Sequence, residues 1–370
     1  MNDALFVSKR GVPLAKPVSS TAGAKMKQEK IRVAVNGYGV IGRRVADAVA
    51  RQTDMELIGV ADVSSTWRTK IASQKKFPIY SATPEAMGPM REAGLNVEGT
   101  LADVLKAAQV IVDCAPKSVG AANVQKYKDA NVKFIIQGGE KHSVTGHSFV
   151  AESNYEQTLG LNSTRVVSCN TTSIVRTLTA LKRKGLLKKA RGTLLRRATD
   201  PWESHLNGIM NTLVPEDHIP SHQGPDAQSV DPGLDVITMA VKVPETLGHV
   251  HFWNVQLTRS ASKEEVLSAF QTSSRIAYVR MSDGLGAINT VKELMMEIGR
   301  ERENLYEVAL WEDLVEVKGD EAFYSYMVDN QAIVIPETID AIRALIGQIK
   351  NPGASIEMTN SALGIRSRFI

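Results

Sequence analysis

A chain of 370 residues, 43% of them hydrophobic and 23% charged, is long enough to bury two domain cores. Its 44 basic and 40 acidic side chains leave a formal charge of +4, too slight to mark a nucleic-acid binder, and no nucleic-acid motif accompanies it. No run approaches the ~18 apolar residues of a membrane span. Two cysteines argue against a disulfide framework, so a cytoplasmic protein without a metal site is expected.

Residues 1–29 mix Pro, Ser, Gly and Lys without periodicity and read as a flexible leader. The apolar patch at 4–7 is too short for a signal-peptide core. Basic residues outnumber acidic ones here, yet Asp3 and Glu29 count against a transit peptide. A plain tail is expected, or a start upstream of the natural Met26.

Order begins with "IRVAVNGYGVIGRRVADAVARQTDMELIGVADVS". Ile31, Val33 and Val35 predict a strand, and Ile41, Val45 and Val49 fall on one face of a helix. Between them Gly37, Gly39 and Gly42 stand in G-x-G-x-x-G spacing. Residues 55–61 predict a second strand, and Asp62 at its end stands about 20 residues past Gly42. That context makes the glycine motif a dinucleotide fingerprint, with free N–H groups at a helix N-terminus facing a pyrophosphate. Asp62 can accept from a ribose 2′-hydroxyl and would repel a 2′-phosphate, which favours NAD. Arg68 and Lys70 follow closely and leave NADP possible.

Strands are expected at 110–116 and 132–141, separated by helical segments, which is the alternation of a parallel sheet. Cys114 lies in the first run and reads as a small core residue with a protonated thiol. Gly138 and Gly139 follow the second strand, at the edge where ligands sit in open α/β sheets.

In "VVSCNTTSIVR", a strand ends at Val166 and Val167 and a helix begins. Ile174, Leu178 and Leu181 carry its buried face, and Lys182, Arg183 and Lys184 before Gly185 close it. Cys169 therefore stands in or just before the first turn. Free N–H groups and the dipole there favour a thiolate and are expected to lower the thiol pKa. A thiolate beside a nicotinamide site adds to an aldehyde, yields a hydride and leaves a thioester for a second nucleophile. Such chemistry calls for a base. His249 and His251 share one face of a period-two strand and His222 lies in a loop, and spacing does not choose among the three.

The motifs "VNGYGVIGRRVADAV", "IIQGGEK", "VVSCNTTSIVRTL", "RRATDP", "IPSHQGPD", "TLGHVH" and "IVIPETIDAIRAL" occur in this order. Together they closely resemble the archaeal-type, class II phosphorylating glyceraldehyde-3-phosphate dehydrogenases, from about Lys30 into "MTNSALGI". The resemblance implies an α/β fold: a Rossmann dinucleotide-binding domain over 30–167, rejoined by 331–370. An α+β catalytic domain with a mixed or antiparallel sheet would occupy 168–330. Strands at 235–244 and 249–258, a capping box of Ser262 with Glu265 and a helix around 336–349 belong to this expectation.

The resemblance also implies the chemistry: reversible phosphorylating oxidation of glyceraldehyde 3-phosphate to 1,3-bisphosphoglycerate, in glycolysis and gluconeogenesis. Cys169 would be the nucleophile and His249 the base that takes its proton. Ser168 and Asn170 would flank the aldehyde, with His222 and Gln223 at the substrate phosphate. Gly37, Gly39, Val40, Ile41, Gly42, Asp62, Gly139, Arg197 and Asn330 would meet the cofactor. Backbone N–H groups near Cys169 and Asn170 would hold the oxyanion. Inorganic phosphate is the co-substrate and a homotetramer the implied assembly, with no nucleic-acid or membrane partner.

Three positions depart from the family's usual pattern. Ser173 replaces a Gly, Gln223 replaces a second His, and Asp62 stands where many relatives carry Lys or another polar residue. Two other classes remain in play. Aspartate-semialdehyde or N-acetylglutamyl-phosphate reductases pair the same halves, but they favour NADP, which Asp62 opposes. A nucleotide sensor or RNA-binding descendant would have no use for Cys169, His222 and His249 together, and thiol reactivity separates the cases.

Overall fold

The computed structural model describes residues 29–137, 139–198 and 213–370. The expected leader, apart from Glu29, and Gly138 lie outside the described residues. Eight strands build the first sheet: β1 (Ile31–Asn36), β2 (Met55–Asp62), β3 (Ile79–Ser81), β4 (Val97–Thr100), β5 (Val110–Asp113), β6 (Lys133–Gln137), β7 (Ser148–Phe149) and β8 (Ser163–Val166). Their order is β4-β3-β2-β1-β5-β6-β8-β7, and every described pairing is parallel. Their carboxyl ends therefore share one edge.

The connecting helices are α1 (Val40–Ala50), α2 (Trp67–Gln74), α3 (Pro84–Glu92), α4 (Leu101–Leu105), α5 (Val119–Asp129) and α6 (Ala151–Thr158). Apolar strands buried on both faces require this helical cover. Val33, Val35, Val110, Ile111, Val112 and Ile135 are at most 1% exposed. The expected strand at 110–116 stops at Asp113, and Cys114 sits just past the strand end, its thiol raised by burial and then by Asp113.

The chain then enters α7 (Cys169–Arg183), whose Ile174, Leu178 and Leu181 are fully buried as the spacing predicts. Gly185, with φ +66°, closes it in a conformation that L side chains rarely adopt. A second sheet follows: β9 (Leu187–Arg197), β10 (Val214–Pro215), β11 (Val236–Val243), β12 (Gly248–Leu257), β13 (Ile276–Val279), β14 (Val308–Trp311), β15 (Glu316–Lys318) and β16 (Glu321–Asp329). Its order is β10-β11-β9-β12-β16-β14-β13, with β15 on β16. Strand β9 pairs parallel with β11 and antiparallel with β12, and β12 pairs antiparallel with β16, so the sheet is mixed as expected.

Helices α8 (Gln223–Gln228), α9 (Lys263–Phe270) and α10 (Ile288–Glu297) belong to this half. In the expected capping box on α9, Ser262 Oγ accepts from Glu265 N at 3.2 Å. The Glu265 carboxylate also pairs with Arg259, and that hydrogen bond, with the Ser262 backbone N–H, holds its carboxyl below the usual range. The chain closes with α11 (Val334–Ile346) and α12 (Pro352–Leu363). Helix α11 returns to pack on α1, α6 and β8 of the first sheet. No helix among the described residues is long and apolar enough to cross a membrane.

Candidate active site

The loop between β1 and α1 is shaped by its three glycines in different ways. Gly37 has φ +88°, and a Cβ there would lie 2.8 Å from Ala115 N. A Cβ on Gly42 would lie 1.8 Å from the Gly37 carbonyl oxygen, so no larger residue fits the turn. At Gly39 a Cβ would meet nothing within 4 Å, which leaves open space over the start of α1. Gly39 caps that helix without a side-chain hydrogen bond, so the first-turn N–H groups face this space. Open space, donor N–H groups and close backbone approach fit the pyrophosphate of a dinucleotide. Val40 and Ile41 begin the helix at the same place.

Asp62 closes the cradle from the end of β2. Its Oδ2 accepts from Tyr38 N at 2.6 Å and its Oδ1 from Ser64 N at 2.8 Å, so it also sets the glycine loop's shape. Just beyond, the Arg43 and Arg68 guanidiniums lie 4.9 and 5.4 Å from the Trp67 ring centre. Burial and then the charges of Arg302, Arg44 and Arg68 lower Arg43 to about 10. This crowd of like charge attracts an anion, and the sequence reading passed over Arg43. Gly139 follows β6 on the same sheet edge, where an added Cβ would lie 3.9 Å from Lys117 Cβ, an ordinary contact.

Cys169 reaches that edge from β8. Between β1 and β8 lie three strand spacings, or about 14 Å. Ser168 caps α7, its Oγ accepting from Thr171 N at 3.4 Å. The Thr171 hydroxyl donates to Asp226 Oδ2 at 2.7 Å and so accepts from Ser168 Oγ at 2.9 Å. Asp226 in turn is paired with the buried Arg165 at 2.5 Å. The Ser168 proton is therefore committed to holding the helix start.

His249, on β12 and 3% exposed, brings Nε2 to 3.3 Å from Cys169 Sγ. The backbone N–H of Arg197 donates to His249 Nδ1 at 3.1 Å. A backbone N–H can only donate, so the neutral ring carries its proton on Nε2, facing the sulfur. Burial, followed by the charges of Arg197, His251 and Arg196, pushes the imidazole well below its ordinary value. His249 is a neutral donor at rest.

The thiol behaves differently from the sequence expectation. Burial pushes Cys169 up, and the Arg197 charge, the Asn170 backbone N–H and the Arg196 charge pull it down without reversing the shift. The helix N-terminus contributes that one N–H bond, and desolvation of the thiolate outweighs it. Alkylation of Cys169 by iodoacetamide is thus expected to accelerate with pH through a midpoint above the ordinary thiol value of about 8.5. Arg197→Met, which keeps the backbone N–H, is expected to move that midpoint higher. A midpoint below neutrality would contradict this balance.

Arg197, on β9 in the second sheet, stands beside the Cys169 and His249 pair. Its neighbour Arg196 is a residue that sequence reasoning missed; the doubled arginine was its only signal. Arg196 Nη1 lies 2.9 Å from Glu216 Oε2, and Glu216 Oε1 accepts from His222 Nδ1. His222 is half exposed on this loop. Gln223 is fully buried behind it, and its amide donates to Ser221 Oγ at 2.7 Å and accepts from Arg196 Nη1 at 3.0 Å. It supports Arg196 from beneath. Asn330 directly follows Asp329, which pairs with Gly248 in the β12/β16 register, so Asn330 lies at the His249 end of these strands.

The chain is similar to known proteins over nearly its whole length. The family described as Glyceraldehyde 3-phosphate dehydrogenase, C-terminal domain, matches residues 168–313, and Dihydrodipicolinate reductase, N-terminus, matches residues 31–141. A glyceraldehyde-3-phosphate dehydrogenase of Methanobrevibacter smithii is 43% identical over 335 residues, 90% of this chain and 99% of its own. Those of Methanococcoides burtonii and Pyrococcus furiosus are each 43% identical, over 91% of this chain and 99% of theirs.

Proposed function

The chain belongs to the archaeal-type glyceraldehyde-3-phosphate dehydrogenase family, and from that membership we propose that it oxidises glyceraldehyde 3-phosphate to 1,3-bisphosphoglycerate through a cysteine thioester. The observation that carries this reading is Cys169 Sγ 3.3 Å from His249 Nε2, on the sheet edge that also holds the glycine cradle. In this reading 30–167 with 331–370 form the cofactor domain and 168–330 the catalytic one. Gly37, Gly39, Val40, Ile41 and Gly42, with Gly139 and Asn330 nearby, would hold NAD, which would supply the hydride acceptor.

Cys169, once its proton has gone to solvent, forms a bond to the aldehyde carbon, and the carbonyl oxygen becomes an alkoxide. His249 donates to that oxygen from Nε2. With that acceptor in place, the hydride on the alkoxide carbon would pass to it, and a thioester would remain on Cys169. Attack by inorganic phosphate breaks the C–S bond, returns the thiolate and releases one phosphate proton to solvent. None of these steps needs His249 as a base, so its role changes from the expected proton acceptor to a fixed donor. Arg196, Arg197 and His222 gather at the side where the substrate's phosphate would lie.

Cofactor choice rests on two opposed features. Asp62 favours a free ribose 2′-hydroxyl, and NAD is the preferred cofactor. Use of NADP is a second reading, supported by Arg43 and Arg68 on either contact of Trp67. We also propose a cytoplasmic homotetramer, with exposed Ile237, Met239 and Phe252 of β11 and β12 as a contact face.

The test is NADH formation from glyceraldehyde 3-phosphate with and without inorganic phosphate, repeated with NADP. Phosphate-dependent turnover with NAD is expected. Turnover with NADP alone would keep the enzyme and overturn the weight given to Asp62. No turnover with either, from protein that binds NAD, would move the reaction to another substrate.

A further inference from the structure

His251 lies two residues along β12 from His249, is fully buried and has both ring nitrogens engaged. Its Nε2 is 2.8 Å from Asn170 Oδ1 and its Nδ1 is 2.9 Å from the Tyr326 hydroxyl. An amide oxygen only accepts, so Nε2 bears the proton and Nδ1 accepts from the tyrosine. The Tyr326 oxygen accepts in turn from Trp253 Nε1 at 3.1 Å. Ser173 Oγ, at 3.3 Å from that hydroxyl, is the more distant acceptor and itself donates to Asn170 O at 2.8 Å. Burial, and after it the Arg196 charge, lowers His251 to about 3, so the ring is neutral and holds a single proton.

The donors therefore run one way: Trp253 to Tyr326, Tyr326 to His251, His251 to Asn170. His251 and Tyr326 are directly paired across β12 and β16, with ring centres 4.9 Å apart. A relay mounted on two paired strands is rigid. It ends on the residue next to the nucleophile. The Asn170 backbone N–H is directed to the Cys169 sulfur, and its side-chain oxygen is committed to His251. What remains is the Nδ2 amino group, and among the described residues none accepts from it.

Resting on the reading of Cys169 as nucleophile toward an aldehyde, we propose that Asn170 Nδ2 is a second donor to the alkoxide oxygen, beside His249 Nε2, and that His251, Tyr326 and Trp253 are positioning residues that fix its amide in that orientation. The need for fixing is physical. An asparagine amide has nearly the same shape when turned by half a rotation, and the turned form would aim an oxygen lone pair at the developing negative charge. A partner able only to donate removes that choice, and His251 is such a partner only while Tyr326 donates to its other nitrogen. This adds side-chain donors to the backbone N–H groups near Cys169 and Asn170 that the sequence reading expected.

The experiment uses the full-length enzyme with Asn170→Ala, His251→Phe, the double variant and His251→Gln. It measures kcat, KM and the rate of Cys169 alkylation by iodoacetamide. Alkylation displaces iodide and forms no oxyanion, so it separates oxygen stabilisation from general damage to the site. Each single variant is expected to lose about 10²-fold in kcat, with alkylation unchanged. The double variant is expected to be no slower than the singles, because His251 acts only through Asn170. His251→Gln, which can still present an N–H to Asn170, is expected to recover to within about tenfold of wild type.

Additive losses in the double variant, or a parallel fall in alkylation, would overturn the relay and leave His251 a packing residue. If His251→Phe does not fold, Tyr326→Phe decides. A fall of roughly tenfold in kcat with unchanged alkylation supports the relay, and unchanged kcat overturns it. Wild-type protein that keeps full turnover after alkylation at Cys169 would sink the relay together with the nucleophile it serves, whereas failure of the relay alone leaves that nucleophile standing.

Discussion

Cys169→Ser is expected to reduce NADH formation by about 10⁴-fold or more, while NAD affinity stays within a factor of two. A serine nucleophile needs a base to take its proton in the attack, and His249 cannot serve at rest. Its Nδ1 is occupied by the Arg197 N–H, so Nε2 already carries a proton. A hydroxyl in a site where burial raises even the thiol stays protonated. The substitution changes one atom and leaves Gly37, Gly39 and Gly42 untouched. Stopped turnover with retained NAD binding, read by calorimetric titration, is the expected pair of results. Retained turnover would remove Cys169 from the reaction.

Glu337→Gln is expected to destabilise the fold by about 3–5 kcal/mol, the cost of breaking a buried ion network on one side. Glu337 on α11 is fully buried and lies 2.6 Å from Arg176 of α7 and 3.0 Å from Arg275. Arg275 is also 2.5 Å from Asp340, one turn further along α11. Removing one carboxylate charge leaves two guanidiniums short of compensation. Burial pulls Arg176 down from the ordinary guanidinium value, yet a guanidinium keeps its proton in a protein, so the imbalance persists. The surface pair Arg191 and Asp235, 2.8 Å apart, is the control: Asp235→Asn is expected to cost under about 1 kcal/mol.

This network also has a pH signature. Burial would raise the Glu337 carboxyl, but Arg176, Arg275 and the Ala151 N–H outweigh it and hold it below the usual range. A depressed carboxyl stabilises the fold above the unfolded value of about 4.3. That stabilisation is lost as pH falls through the folded value. The stability gap between wild type and Glu337→Gln should therefore narrow on acidification. Urea unfolding at fixed protein concentration reads it, with an unchanged slope as the check on two-state behaviour.

Local pattern determined much of this molecule. The period of apolar residues placed β1, α1, β2 and the buried face of α7, because one face of each must leave water. Gly37 and Gly42 were legible because only glycine tolerates a Cβ position 2.8 Å from one backbone atom or 1.8 Å from another. Cys169 was legible because a strand end followed by a helical pattern fixes a helix start within a residue or two.

What pattern could not supply was whatever depends on partners far along the chain. Period two puts His249 and His251 on one strand face and cannot say which meets sulfur. Only the pairing of β12 with β9 and β16, set against the start of α7, sends His249 to Cys169 and His251 to Asn170. Arg196 gained its place by folding next to Glu216 and Gln223, and Arg176 found Glu337 across 161 residues of chain. The direction of the thiol's shift was hidden for the same reason. A helix N-terminus is local and favours the thiolate, but burial belongs to the whole fold, and desolvation is the larger of the two.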